Sequence, residues 1–130
     1  MCAAHYGLDN LCAIVDYNKL QSDDLNENII SLNSLANKWK AFNWNVIEID
    51  GHNFKQIESA FRAFDEVKGR PTVIIANTVK GKGVSFMENV PAWHGSVKIK
   101  PMELKLALTE LGISEQDMLS VAGGNIPELS

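Results

Sequence analysis

Leu11-Cys12-Ala13-Ile14-Val15 runs directly into Asp16-Tyr17-Asn18-Lys19-Leu20-Gln21. An apolar run bounded by turn formers reads as a strand inside a parallel sheet, and open α/β sheets bind ligands at the carboxyl ends of such strands. Asn18 therefore stands where chemistry is expected. Its side-chain carbonyl and a free backbone carbonyl at Leu20 are neutral oxygen ligands of the kind a hard cation such as magnesium accepts. The same residue type after a strand also builds a simple Asx-turn, with no ligand involved.

Outward from this point the chain alternates strand and helix, the pattern of a parallel sheet with helices on its faces. The spacing predicts a helix over 34–42 with Leu35, Trp39 and Phe42 on one stripe, then a strand over 46–50 closed by Gly51-His52. Asn53 is expected to cap the next helix, with Gln56 reaching back to complete a capping box. Phe54, Ile57, Phe61 and Phe64 follow at helical spacing as its buried face. The turn Lys68-Gly69-Arg70-Pro71 leads to a strand over 72–77. At the start, residues 1–6 read as the last turns of a helix ended by Gly7. Near the end, 102–111 reads as a helix with Leu104, Ala107, Leu108 and Leu111 inward and Gly112 as its stop. Ser114 is placed as the cap of a short segment through 120, before Gly123-Gly124-Asn125. The fold class expected is α/β: a partial open parallel sheet flanked by helices, one domain over 1–130 with a helical or irregular tail over 112–130.

Composition agrees with one soluble domain: 130 residues, 45% of them apolar, are enough for a real core. A net charge of -4 leaves no basic stripe for nucleic acid or a membrane surface. Cys2 and Cys12 read as reduced thiols of an intracellular, cytoplasmic protein rather than a staple. No apolar run approaches the roughly 18 residues of a membrane span.

The connection over 79–100 is a second candidate site, since loops longer than about 12 to 15 residues in a compact domain tend to be lids or binding loops. It opens with Lys80-Gly81-Lys82-Gly83 and later carries Pro91-Ala92-Trp93-His94-Gly95. Alternating glycines let backbone amides approach an anion while lysines neutralise it. His94 is a candidate hydrogen-bond donor or proton carrier. His5 and His52 read as structural, and Trp39 and Trp44 as core or interface.

Taken in order, Asp16-Tyr17-Asn18-Lys19-Leu20-Gln21, Lys38 to Trp44 before Gly51-His52, Pro71 to Gly83, and Trp93-His94-Gly95 resemble the diphosphate-binding domain of transketolases. The likeness runs from about Ala3 to Leu111 and is nearest to the amino-terminal subunit of the split prokaryotic type. It implies thiamine diphosphate with magnesium, or calcium or manganese, and transfer of a two-carbon ketol unit between sugar phosphates, as in the pentose phosphate pathway. By that resemblance Asn18 and Leu20 are the metal ligands, and Asn18, Leu20, Lys80 and His94 contact the cofactor. His94 is the catalytic candidate. The implied partner is a carboxy-terminal, pyrimidine-binding subunit in a homo- or hetero-oligomer.

Departures from the family pattern accompany the likeness. The family's Gly-Asp-Gly, which supplies the charged metal ligand, falls before Met1. Ser22-Asp23-Asp24 stands where an apolar residue and Asp-Gly are common, and Ser96 where many relatives have lysine. The glutamate that activates the cofactor belongs to another domain. The expectation is a partial subunit, inactive by itself. The alternatives are a related enzyme of the deoxyxylulose phosphate synthase or dihydroxyacetone synthase type, or a non-catalytic α/β scaffold.

Overall fold

The computed structural model describes residues 1–95, 97–114 and 117. A short helix α1 (Cys2–His5) leads to β1 (Cys12–Tyr17), a small hairpin β2 (Leu20–Gln21) and β3 (Asp24–Leu25), and a one-turn helix α2 (Asn26–Ile29). Then follow α3 (Leu35–Ala41), β4 (Asn45–Asp50), α4 (Phe54–Glu66) and β5 (Thr72–Asn77). A 3-10 turn (Pro91–His94) and α5 (Pro101–Glu110) complete the described elements. The main sheet is parallel with strand order β1-β5-β4, so the last strand inserts between the first two.

That insertion explains the burial. A strand hydrogen-bonded on both edges and covered on both faces reads as a continuous apolar run, as Thr72-Val73-Ile74-Ile75-Ala76 does, and all five residues are buried. Side chains alternate between faces. Ile74 and Ala76 pack with Ile49 and with Ala60 of α4. Val73 and Ile75 pack on the opposite face with Trp44, Trp39, Leu35 and the alanines of α1. The Trp39 and Trp44 rings meet edge to face at 4.8 Å, so both belong to this second core.

Several expectations are corrected. β1 lies at an edge of the described sheet instead of inside it, and Ile14 is 60% exposed. An apolar run alone does not distinguish an edge strand from a central one. α4 buries Ala60 and half-buries Ile57 and Phe64, while Phe54 is 86% exposed and Phe61 is also exposed. The helix meets the sheet through a small residue, which brings the two close and narrows the covered stripe. In α5, Ala107 is buried and Leu108 half-buried, whereas Leu104 and Leu111 face outward. The cap of α4 forms as expected, Asn53 Oδ1 accepting from the amides of Lys55 at 3.1 Å and Gln56 at 3.2 Å. Gln56 Oε1 takes the Asp50 amide at 2.8 Å instead of that of Asn53, tying the helix start to the end of β4. Gly112 has φ +75 and stops α5. The segment expected from Ser114 through 120 and the tail that follows lie mostly outside the described residues.

Two variants test this arrangement by urea denaturation. Ile74→Ala, at a site only 2% exposed, is expected to cost about 3 kcal/mol through a cavity in the central strand. Asn53→Ala is expected to cost about 1 kcal/mol through the lost cap. Equal midpoints for the two variants would contradict the central placement of β5.

Candidate functional site

Pairing of β1 with β5 continues past both strands. Tyr17 is aligned with Asn77, and the Thr78 amide donates to the Tyr17 carbonyl at 3.4 Å. Asn18 therefore comes level with Thr78, just before Lys80, at the carboxyl end of the sheet. Two side chains lock the junction. The Thr78 hydroxyl donates to Asp16. The Val79 amide donates to His52 Nε2 at 2.8 Å. That bond makes Nε2 an acceptor and leaves the proton of the neutral ring on Nδ1. His52 thus has the structural role expected of it, holding the long loop against the turn after β4.

The β2–β3 hairpin orients the first candidate ligands. Leu20 pairs with Leu25 and Gln21 with Asp24, and the Asn26 amide donates to the Lys19 carbonyl at 2.9 Å. Antiparallel ladders alternate bonded and non-bonded pairs, so Leu20 opposite Leu25 is a non-bonded pair whose N–H and C=O both face the outer edge. The Leu20 amide accordingly donates to Asn18 Oδ1 at 3.0 Å. This is the Asx-turn, and it is also what turns the Leu20 carbonyl toward the side occupied by the Asn18 carboxamide. A carboxamide oxygen has a second lone pair, so the turn does not exhaust it. Asp24 steadies the hairpin base. Its carboxylate accepts from the Leu25 amide at 2.7 Å and from Asn28 at 3.0 Å, and these bonds hold its pKa below the ordinary value.

Across from the hairpin, β2 packs against the 3-10 turn that carries His94. Pro91 opens that turn, and Trp93 is braced edge to face by Phe86 at 5.5 Å. Ser22, Asp23, Pro91, Ala92, His94 and Gly95 line a cleft of about 420 Å³. His94 Nδ1 is buried and has no hydrogen-bond partner among the described residues. Leu20 and His94 are thus brought together from distant parts of the chain. His5 lies before β1, at the opposite end of the sheet, and makes an edge-to-face contact with Tyr6 at 5.0 Å.

The glycine-lysine segment differs from its expected form. The loop itself uses the amides of Lys82, Gly83 and Val84. Lys82 donates to the Val79 carbonyl at 3.2 Å and Val84 to that of Gly81 at 3.1 Å. The Gly83 amide donates to Glu88 Oε1 at 2.9 Å, and Lys82 pairs with the same carboxylate at 3.7 Å. Gly81 is required by packing: with φ +75, a Cβ there would lie 2.7 Å from Met87. Lys80 is half-buried, and its ammonium group has no hydrogen bond or ion pair among the described residues. That ammonium and the amides of Lys80 and Gly81 are the segment's donors without a partner among the described residues. The hairpin tip Ser22-Asp23 was not assigned to the site from sequence. A polar turn cluster between short apolar pairs was the available signal.

Residues 1–125 match the family described as transketolase, thiamine diphosphate binding domain. The chain belongs to this family. It is 42% identical over 97 residues to one subunit of the apulose-4-phosphate transketolase of Phocaeicola vulgatus, covering 75% of this chain and 34% of that protein. It is 43% identical over 111 residues to the SqwG subunit of the 6-deoxy-6-sulfo-D-fructose transketolase of a Clostridium species, covering 85% of this chain and 40% of that protein. The chain therefore spans about two fifths or less of these relatives' length. Among solved structures, a Pichia stipitis transketolase complexed with sedoheptulose 7-phosphate superposes with TM-score 0.79 at 25% identity, over 88% of this chain and 17% of that one. The parallel sheet flanked by helices is that of the transketolase diphosphate domain.

In this transketolase domain the loop bearing His94 is held by two carboxylates, Glu88 on the Gly83 amide and Glu110 on the amide and hydroxyl of Ser85 at 2.5 and 2.6 Å. Hydrogen bonds from Gly83 and from Ser85 hold both carboxyls below their ordinary value of 4.5. A depressed folded-state pKa contributes stability above the unfolded value, and the contribution is lost as pH falls through the folded value. Hydrogen exchange at the Gly83 and Ser85 amides, corrected for intrinsic rates, is expected to accelerate as pH falls below 4.5, with the sheet still protected. Constant protection of both amides across that range would contradict the clamp.

Proposed function

We propose that this chain forms the diphosphate-side wall of a transketolase active site and works only with a partner that supplies the pyrimidine side. The observation that carries the reading is the hairpin register: it turns the Asn18 carboxamide and the Leu20 carbonyl to one edge, level with the start of the Lys80 loop and packed against the turn of His94. Family membership supports the cofactor, thiamine diphosphate. When bound, that cofactor supplies the carbanion chemistry of two-carbon ketol transfer, and the protein supplies binding and orientation.

The donor set fits a divalent cation in kind. Asn18 and Leu20 offer neutral, hard oxygens fixed relative to each other by the Asx-turn, suited to magnesium, calcium or manganese. Lys80 is proposed to neutralise a diphosphate oxygen, a reading supported by its ammonium having no partner among the described residues. His94 lines the cleft, and its imidazole is proposed to hold or move a proton on a substrate oxygen. The set contains no carboxylate, and magnesium is normally held by one or two of them with phosphate oxygens. The isolated chain should therefore bind metal and cofactor weakly and lack activity. Relatives named as individual subunits of transketolases support a second, complementary subunit, and the substrates proposed are sugar phosphates. A cytoplasmic enzyme of pentose phosphate interconversion, working as an oligomer, is the setting this reading favours.

Calorimetric titration of the chain with magnesium and thiamine diphosphate is expected to give a dissociation constant weaker than about 1 μM, a threshold equivalent to about -8 kcal/mol. Assembly with a carboxy-terminal transketolase subunit should tighten it and restore ketol transfer. In the assembled protein, Asn18→Ala should weaken metal-dependent cofactor binding about tenfold or more. His94→Ala should mainly lower kcat, by about 100-fold if the residue moves a proton. Unaltered cofactor binding by Asn18→Ala would remove the basis of the assignment.

A further inference from the structure

The turn after β4 is built to meet the start of the long loop, and the cofactor reading gives that contact no role. Gly51 permits the close approach: a Cβ there would lie 2.5 Å from Thr78 Cγ2 and 3.1 Å from Ala76 Cβ. The Gly51 amide donates to the Asn77 carbonyl at 2.8 Å, and His52 Nε2 accepts from the Val79 amide at 2.8 Å. From the β1 side, Asp16 accepts from the Thr78 hydroxyl. Val79 opens the turn that carries Lys80, its carbonyl accepting from the Lys82 amide at 3.2 Å. The backbone entering Lys80 is therefore held by one side chain from each flanking strand end, and the one after β4 is an imidazole.

That imidazole accepts at Nε2 only while it is neutral. Protonation makes both ring nitrogens donors, so a charged His52 opposes the Val79 N–H with an N–H of its own and the bond is lost. The ring is exposed, so solvent protons reach it. An imidazole ordinarily changes charge between about pH 5 and 8. The charged groups that the described contacts place around it are Asp50, whose Oδ1 accepts from the His52 amide at 2.9 Å, and Glu88, which interacts electrostatically with the ring and pairs with Lys82 at 3.7 Å. Both carboxylates favour the charged ring, and the Val79 bond favours the neutral one. We propose that His52 is a positioning residue for Lys80, a latch that fixes the start of the loop while its ring is neutral and releases it on protonation. The consequence for cofactor binding rests on the transketolase reading, in which Lys80 meets the diphosphate; the latch itself rests on the bond to Val79.

The test follows the Val79 amide and the His52 ring by NMR in the full chain, without metal or cofactor, between about pH 8 and 5. The Val79 amide is expected to titrate with the midpoint of the His52 ring. Its exchange with solvent, corrected for intrinsic rates, should accelerate about fivefold or more below that midpoint, the loss of one hydrogen bond. His52→Leu should exchange fast at every pH. His52→Gln, whose side-chain oxygen accepts without titrating, should restore protection and abolish the pH dependence. Unchanged amide signals of Ile74 and Ile75 verify the fold. At pH about 8, inorganic pyrophosphate should bind about fivefold more weakly to His52→Leu than to the parent or His52→Gln, with Lys80→Ala as the background. A Val79 amide that ignores the His52 titration, equal exchange in His52→Leu and His52→Gln, or equal pyrophosphate binding by the parent and His52→Leu would each overturn the proposal. Pyrophosphate binding to the parent no tighter than to Lys80→Ala would count against the diphosphate assignment of Lys80, and the Val79 amide still decides the latch.

Discussion

The central placement of β5 is the constraint on which the rest of the structure depends. Its five buried residues can be dry on both faces only if β1 and β4 flank it and helices cover both sides. Once that is satisfied, backbone geometry aligns Tyr17 with Asn77 and Asp50 with Asn77 from either side. The carboxyl ends of the three strands are then level. The Asn18 turn, the Gly51-His52 turn and the Lys80 loop emerge together, and the bonds from Thr78 to Asp16 and from Val79 to His52 fasten them. Burial in the sheet thus sets positions in the site.

The site is built by two devices of different strength. On one side, the Asx-turn and the hairpin register orient Asn18 and Leu20 through short-range hydrogen bonds that their own segment provides. On the other, His94 sits on a single 3-10 turn in a long connection, braced by Phe86, Glu88 and Glu110. The carboxylate clamps are exposed, and exposed charged interactions contribute little to stability. The metal-ligand candidates therefore stand on hydrogen bonds within their own segment, and the histidine on contacts between segments distant in the chain.

Ionic and polar groups show which residues remain for ligands. Lys82 and the Gly83 amide are engaged by Glu88, and several of the loop's other amides by its own carbonyls. Lys80, Ser22, Asp23 and His94 Nδ1 have no such engagement among the described residues. The glycines of the loop act through packing and backbone conformation, as Gly81 against Met87 demonstrates.

By itself the sequence determined what is encoded locally. The turn after β1, the cap at Asn53, the stop at Gly112, the strand over 72–77 and the alternation of strand and helix are dictated by side-chain chemistry within a few residues, and ordered motifs carried the family likeness. The faces of α4 and α5, the edge position of β1 and the hairpin at Ser22-Asp23 were decided only by the tertiary structure. Periodicity says that Phe54, Phe61, Leu104 and Leu111 share stripes with buried neighbours, but not how much of a stripe the sheet covers. Which candidates meet was also a matter of three dimensions. Leu20 and His94 are far apart along the chain and come together because β2 packs on the 3-10 turn, a contact between distant segments that no local pattern contains.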